Sequence, residues 1–349
     1  MFYKGNFMQN ILVTGGAGFI GSNFILYFLE KHNNYKIINL DALTYAADLQ
    51  NLASVRGSSN YEFIQGDIGD KKLIQQVFED YDIKGVINFA AESHVDNSIL
   101  NPEKFLQTNI MGTFNLIDQA YKHWMRDNFI YKNEYKNCRF HHISTDEVYG
   151  SLGQEGLFTE QTAYAPNSPY AASKASSDLL IRAYFKTFGL NVTTSNCSNN
   201  YGPRQHKEKL IPKLIDLALT GKDITIYGDG KNIRDWLHVT DHCSAIDLIF
   251  HQGVAGEVYN VGGSNEKTNL EVVDKVLGIL DRLSPREDAV SYKSQIKFVK
   301  DRAGHDRRYA IDATKIQKEL GWRPEFNFLS GIELTIAWYL SQSAYSVVS

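Results

Sequence analysis

The chain has 349 residues, enough for one large or two fused domains at roughly 150 residues each. Hydrophobic residues make up 43% and charged residues 22%, the balance of a folded globular chain, which excludes wholesale disorder. The 36 basic against 40 acidic side chains leave a net charge of −4, which argues against a dedicated nucleic-acid binder. Short β-branched runs at residues 11–14, 37–40, 61–64, 86–89, 140–143 and 192–195 predict strands. They are apolar on consecutive positions, as expected where helices cover both faces of a parallel sheet. Between them lie helical patterns, such as Ile20, Phe24, Ile25, Phe28 and Leu29 at spacings of three and four. Strand, helix and strand repeated in this way predict right-handed crossovers and an α/β, doubly wound parallel (Rossmann) sheet.

Residues 127–137 are polar and Asn-rich and read as a surface loop. After about residue 196 the rhythm changes. Strands at 224–227 and 258–261 are separated by longer polar segments, and residues 300–308 hold seven ionisable side chains in nine. We therefore expect a dinucleotide domain over residues 1–196, with 237–261 returning to it. A smaller α/β C-terminal substrate domain is expected over 197–236 and 262–349. Cys138, Cys197 and Cys243 are far apart, so neither a disulfide framework nor a cysteine zinc site is indicated, and no metal is expected. No apolar run approaches the roughly 20 residues of a membrane span, and residues 1–10 lack the apolar core of a secretory signal. A cytoplasmic chain is the expectation.

Residues 14–21 read Thr-Gly-Gly-Ala-Gly-Phe-Ile-Gly, directly after the first strand and opening a helix. Glycine is needed there where the strand turns, where backbone must touch a pyrophosphate, and where helix packs on strand. The helix N-terminus offers N–H groups and a positive dipole end to phosphate. Gly15, Gly18, Phe19, Ile20 and Gly21 are thus candidate cofactor residues. Asp41 ends the second strand, 20 residues past Gly21, where an acid accepts ribose hydroxyls and repels a 2′-phosphate; NAD is favoured over NADP. Ala42, Leu43 and Thr44 follow it. Asp67, with Ile68, sits at the third strand end, where it either reads an adenine edge or caps the next helix. Phe89, Ala90, Ala91 and Ser93 close the fourth strand with small residues that let a flat ring approach the sheet.

Tyr170 and Lys174 stand four residues apart on a helical stretch, hence on one face. A lysine cation beside a phenol favours phenolate, so the pair could take a proton from a sugar hydroxyl while hydride leaves the same carbon.

These motifs together resemble the extended short-chain dehydrogenase/reductases, and within them the nucleotide-sugar dehydratase branch. The resemblance runs from about residue 11 to 340. It is carried by Ala-Ala-Glu-Ser-His-Val-Asp at 90–96, Ser-Thr-Asp-Glu-Val-Tyr-Gly at 144–150 and Ser-Asn-Asn-Tyr-Gly-Pro at 198–203. Further matches are Gly-Asp-Gly-Lys-Asn-Ile-Arg-Asp-Trp at 228–236, Asn-Glu-Lys-Thr-Asn at 265–269 and Gly-His-Asp-Arg-Arg-Tyr-Ala-Ile-Asp at 304–312. The resemblance implies a hydro-lyase with resident NAD, acting on dTDP-glucose in deoxysugar supply for surface polysaccharide. It assigns Asp146 as acid, Glu147 as base and Thr145 to the 4-oxygen, beside Tyr170 and Lys174. Asp146 is expected protonated and Glu147 ionised, since opposite duties need pKa values pushed apart. Thr108 and Asn200 join the cofactor residues on the same ground.

The resemblance also places Ser93, Thr145, Asn199, Lys209, Leu210, Arg234, Asn269, Arg302 and His305 around the nucleotide-sugar, with Thr225, Ile226 and Tyr227 at the base. A diphosphate wants guanidinium or ammonium groups, and Arg234, read as lying in a polar loop, is the foremost candidate. Arg204, Lys207 and Ala303 depart from the branch's usual pattern, and Tyr345 does not map onto its late tyrosine. All of these touch the nucleotide, so a UDP- or GDP-linked hexose is the nearest rival substrate. A 4-epimerase would not need the Asp-Glu pair, and a silent NAD-binding regulator would have no reason to keep all of Tyr170, Lys174, Asp146 and Glu147. Apolar faces near residues 103–124 and 168–185 permit the homodimer through a four-helix bundle that the resemblance implies.

Overall fold

Apolar runs flanked by polar turns become the strands of one seven-stranded sheet. Its order is Val258–Val261, Val192–Cys197, Arg139–Thr145, Gly85–Asn88, Gln9–Thr14, Tyr35–Asp41 and Tyr61–Gln65. The pairs from Arg139–Thr145 through Tyr61–Gln65 run parallel, with Leu12 opposite both Ile38 and Val86. The expected Rossmann sheet is present. Chain order reverses between Gln9–Thr14 and Gly85–Asn88, and the crevice beyond the strand ends at such a reversal is where this architecture takes ligands. The computed structural model describes residues 8–301 and 306–345, without the side chains of 343–345.

The chain divides into two units. The first holds the described residues up to Val148, with Pro166–Asn196 and Cys243–Tyr259; the second holds Tyr149–Ala165, Cys197–His242 and the described residues from Asn260 onward. The expected division therefore changes in three places. Residues 149–165 leave the first unit because hydrogen bonds hold them in the second: Asn260 Nδ2 donates to Phe158 O at 3.0 Å, Tyr149 OH donates to Asn260 Oδ1 at 2.8 Å, and Phe158 N donates to Ala310 O at 2.9 Å. The returning segment begins at Cys243 instead of residue 237 and ends at Tyr259, because Ile233–His238 pairs with Asn199–Tyr201 and Glu266–Thr268 in a three-stranded sheet of the second unit.

In the first unit, one side of the sheet is sealed by Leu12, Ile38, Phe78, Val86, Leu116, Trp124 and Phe140, all fully buried. Residues 127–137 depart from the surface-loop expectation. Met125–Asp127 and Ile130–Tyr131 pair as a small antiparallel ribbon, followed by a tight turn at Asn133–Tyr135. The cause is aromatic anchoring: Tyr135 is buried with its hydroxyl on Asp82 Oδ1 at 2.6 Å, and Tyr131 OH accepts Asn191 N at 2.6 Å.

The second unit packs Leu210–Leu219, Asn269–Leu283 and Phe328–Tyr345 around Tyr201, Trp236, Val276 and Ile332. Helix Asn269–Leu283 starts with a capping box, in which Thr268 and Glu271 satisfy each other's backbone N–H groups. All three cysteines are buried, and none of them forms a disulfide. No helix among the described residues is long and apolar enough to cross a membrane.

Candidate active site

The glycine turn is built as its spacing predicts. Gly15 takes φ +69°, a conformation L side chains avoid, and a methyl there would meet Ala90 N at 2.7 Å. The turn thus lies against the loop that leaves the fourth strand. Gly18 is the N-cap of helix Phe19–Lys31 and brings no side chain to the first N–H groups. A methyl on Gly21 would sit 2.4 Å from Gly15 O, so the helix can start this close to the strand only with glycine. A cradle without Cβ atoms and an N-terminus with no side-chain cap fit a dinucleotide's diphosphate, and a nearby carboxylate fits its ribose hydroxyls.

That carboxylate is Asp41. Its oxygens accept Ala17 N at 2.9 Å and Leu43 N at 2.8 Å, and burial nevertheless pushes its pKa upward. Asp67 is not the helix cap. Asp70 takes that role, accepting Lys72 N and Leu73 N, while exposed Asp67 accepts Gly69 N at 2.7 Å. Ile68 is buried; Ala42, Leu43, Phe89, Ala90 and Ala91 are half-buried, and Thr44 and Ser93 are exposed.

The second cluster forms where strand Arg139–Thr145 ends and helix Pro169–Phe188 begins. Ser168 caps this helix by accepting Ala171 N, Pro169 supplies the first position, and Gly189 ends it in the left-handed region. Its buried side includes Tyr170, Ser173, Lys174, Ser177, Asp178 and Ile181, a stripe at helical spacing that is mostly polar. Lys174 Nζ donates to Ile143 O at 2.7 Å and lies 3.3 Å from His142 Nε2. Ser144 Oγ donates to Asp178 Oδ2 at 2.8 Å. These contacts fix the helix stripe against the strand end that delivers Thr145, Asp146 and Glu147. Thr145 and Asp146 are buried, and Thr145 Oγ1 lies 3.4 Å from Asp146 Oδ1 and accepts Glu147 N at 3.3 Å. Phe105 meets the Tyr170 ring edge-on at 6.3 Å between centroids.

Compared with known proteins, residues 12–335 match the family described as GDP-mannose 4,6 dehydratase. The dTDP-glucose 4,6-dehydratase of Xanthomonas campestris pv. campestris (strain B100) is 52% identical over 344 residues, covering 97% of this chain and 95% of the relative. The chain belongs to the dTDP-glucose 4,6-dehydratase family. Among solved members, that of Bacillus anthracis in complex with NAD matches with TM-score 0.84 and 47% identity, covering 97% of this chain and 98% of its own. The member from Streptomyces venezuelae, solved with NAD, gives TM-score 0.87 and 42% identity over 97% and 98%.

Two buried residues at this cluster escape a reading by motif. His142 is fully buried between Lys174, Asp178 Oδ1 at 3.4 Å and Asn88 Nδ2 at 3.2 Å; burial, then the Lys174 charge, lowers its pKa to about 4. Asn109 bonds Glu92 through both backbone groups and donates to Ser173 Oγ at 2.8 Å, tying the loop after the fourth strand to the Tyr170 helix. It sits in a π-helical turn, Leu106–Gly112, which also carries the expected cofactor residue Thr108, and no periodicity announces such a turn.

In the second unit, Asn199 and Asn200 pair with Trp236 and Leu237. Asn200 Oδ1 meets His242 Nδ1 at 3.0 Å. Arg234 lies in strand Ile233–His238 and not in a loop. It is buried, stacks at 4.2 Å over Tyr309, and donates to Ile233 O and Asp306 O at 2.7 and 2.9 Å. Thr225 and Tyr227 are exposed, whereas the Ile226 side chain, expected at the base pocket, packs into the core because the strand alternates. Leu210 packs partly on the same core, Lys209 stands at the N-cap of its helix without a side-chain cap bond, and Asn269 opens helix Asn269–Leu283. Arg302 and His305 lie outside the described residues.

Proposed function

We propose that the chain converts dTDP-glucose to dTDP-4-keto-6-deoxyglucose and water. The carrying observation is the placement of an acid pair, Asp146-Glu147, at the strand end to which the Tyr170–Lys174 helix is fastened, in a chain 52% identical to a curated dTDP-glucose 4,6-dehydratase. Gly15, Gly18, Gly21 and Asp41 would hold NAD, supported by Asp67, Ala90, Ala91 and Thr108. When bound, NAD accepts hydride from C4 of the sugar and returns it to C6, so it is regenerated each turnover.

The chain's own residues handle the protons. Tyr170 takes the C4 hydroxyl proton, with the Lys174 cation favouring the phenolate. Thr145 hydrogen-bonds the 4-oxygen. The 4-ketone acidifies C5–H; Glu147 removes that proton, Asp146 protonates the departing C6 hydroxyl, which leaves as water, and a solvent-exchanged proton returns from Glu147 to C5 when hydride reaches C6. Buried Asp146 is suited to the protonated role and half-buried Glu147 to the ionised one. Lys209, Arg234, Asn199 and Asn269, with Arg302 and His305, belong to the nucleotide-sugar reading of the second unit. A homodimer through a four-helix bundle and action in the cytoplasm complete the proposal.

The test incubates the chain with dTDP-, UDP- and GDP-glucose separately and follows the 4-keto-6-deoxy product by NMR in deuterated water. Product from dTDP-glucose alone, with deuterium at C5, is expected. Glu147→Gln should lose turnover by 10²–10⁴ and abolish solvent exchange at C5. Undiminished exchange in that variant removes Glu147 as base; preference for another nucleotide overturns the substrate.

A further inference from the structure

Away from the catalytic cluster, two helix ends of the first unit meet at a group of side chains that the chemistry above does not use. Helix Phe19–Lys31 ends at His32, and helix Val239–Gln252 carries His251 in its last turn with Asp247 one turn before it. His32 Nε2 lies 2.9 Å from Asp247 Oδ1 and 3.1 Å from Oδ2; His251 Nδ1 lies 3.0 Å from the same Oδ1. One nitrogen from each ring and one carboxylate oxygen all fall within 4.8 Å of one another.

We propose that His32, Asp247 and His251 form a site for a transition-metal dication of the zinc type, fastening the two helix ends together. The donor set is two imidazole nitrogens and one carboxylate oxygen, which suits Zn²⁺; Mg²⁺ and Ca²⁺ need shells made mainly of oxygen. The spacing fits as well. With zinc–ligand bonds of about 2.0–2.1 Å, tetrahedral donors stand roughly 3.3 Å apart and the two ring centroids about 5 Å apart. The two donor separations to Asp247 are 2.9 and 3.0 Å, and the His32 and His251 centroids lie 4.9 Å apart. A metal ion would stand in for the hydrogens that now bridge these atoms.

The surroundings support a cation at this place. Helix Phe19–Lys31 directs the negative end of its dipole toward it. His251 Nε2 lies 3.2 Å from Tyr35 OH, the outer partner that holds a ligating imidazole in orientation. The Asp247 carbonyl lies 2.9 Å from His251 Nδ1 and serves that nitrogen when no ion is bound. Arg139 Nη1 occupies the Ile249 and Phe250 carbonyls at the helix end, so the side chains remain as ligands. The three side chains keep 24, 13 and 28% exposure, which leaves room for a water ligand and an entry path. Sequence spacing hides the site, because His32 and Asp247 are 215 residues apart.

The experiment uses the full chain without a histidine tag, freed of metal by chelator and titrated with ZnCl₂ alone by calorimetry. One zinc per chain is expected, with the melting temperature rising on addition and no response to Mg²⁺ or Ca²⁺. His32→Gln, Asp247→Asn and His251→Gln should each weaken binding at least tenfold while leaving dehydratase turnover unchanged. Tyr35→Phe keeps all three ligands and should weaken binding about tenfold. No zinc uptake by the wild-type chain, or equal uptake in all three ligand variants, overturns the proposal. Should the ligand variants fail to fold, wild-type affinity in Tyr35→Phe overturns it.

Discussion

Replacing Gly21 by alanine tests whether the close contact at the start of helix Phe19–Lys31 organises the nucleotide cradle. The added methyl would stand 2.4 Å from Gly15 O and 2.8 Å from Gly16 Cα, both backbone atoms that cannot rotate away. Ordinary carbon contacts need about 3.5 Å, so the helix start must retreat by roughly 1 Å. Overpacking of this kind costs about 1–3 kcal/mol, or roughly 3–9 °C in melting temperature. The same retreat pulls the helix N–H groups off the phosphate position, and each 1.4 kcal/mol lost there is about tenfold in NAD affinity. Gly18→Ala is the control, since its methyl meets only Gly15 O, at 3.3 Å. Thermal melts with and without added NAD, together with the NAD content of purified protein, read both effects. Gly21→Ala should lose stability and cofactor; Gly18→Ala should keep its melting temperature within about 2 °C while binding NAD more weakly. A Gly21→Ala chain with wild-type melting and full NAD content refutes the reasoning.

Burial holds His142 and His238 at pKa values of about 4 and His242 at about 3, so all three are neutral when folded. Because the unfolded chain takes up these protons near pH 6.5, their contribution is complete above that pH and is lost as pH falls toward 4. Urea midpoints should therefore drop steeply between pH 7 and 5, and a flat profile would contradict the burial argument. Lys174→Met should cut turnover by 10²–10⁴ and move the ascending, acidic limb of the activity profile upward toward the phenol's own value near 10, measured as kcat against pH. Thr268→Ala removes half of a capping box and should cost about 1 kcal/mol by urea titration, with activity unchanged.

What could be read from sequence was mostly local. Strand–helix alternation, the glycine turn, Asp41 and the Tyr170–Lys174 spacing each depend on residues within a few positions of one another, and the structure places them as expected. Misplaced features depend on distant partners. Residues 149–165 join the second unit through Asn260, 102 positions from Phe158, and neither segment advertises the other. Arg234 looks like a loop charge among polar neighbours, yet strand pairing with Lys267 and stacking on Tyr309 bury it. His142 reads as one more strand residue until Lys174 and Asp178 arrive from a helix that starts 27 positions later, at Pro169.

The widened turn at Leu106–Gly112 accommodates one surplus residue within an otherwise ordinary helical run. Deleting a single amino acid there would restore tight winding and leave the flanking helix in phase, but the residues inside the turn would each shift by one position, about 100° about the axis. The amide of Asn109 would then swing away from Glu92 and Ser173. This stretch can therefore change its exposed letters freely while its length stays frozen, a constraint on drift that concerns counting and not chemistry.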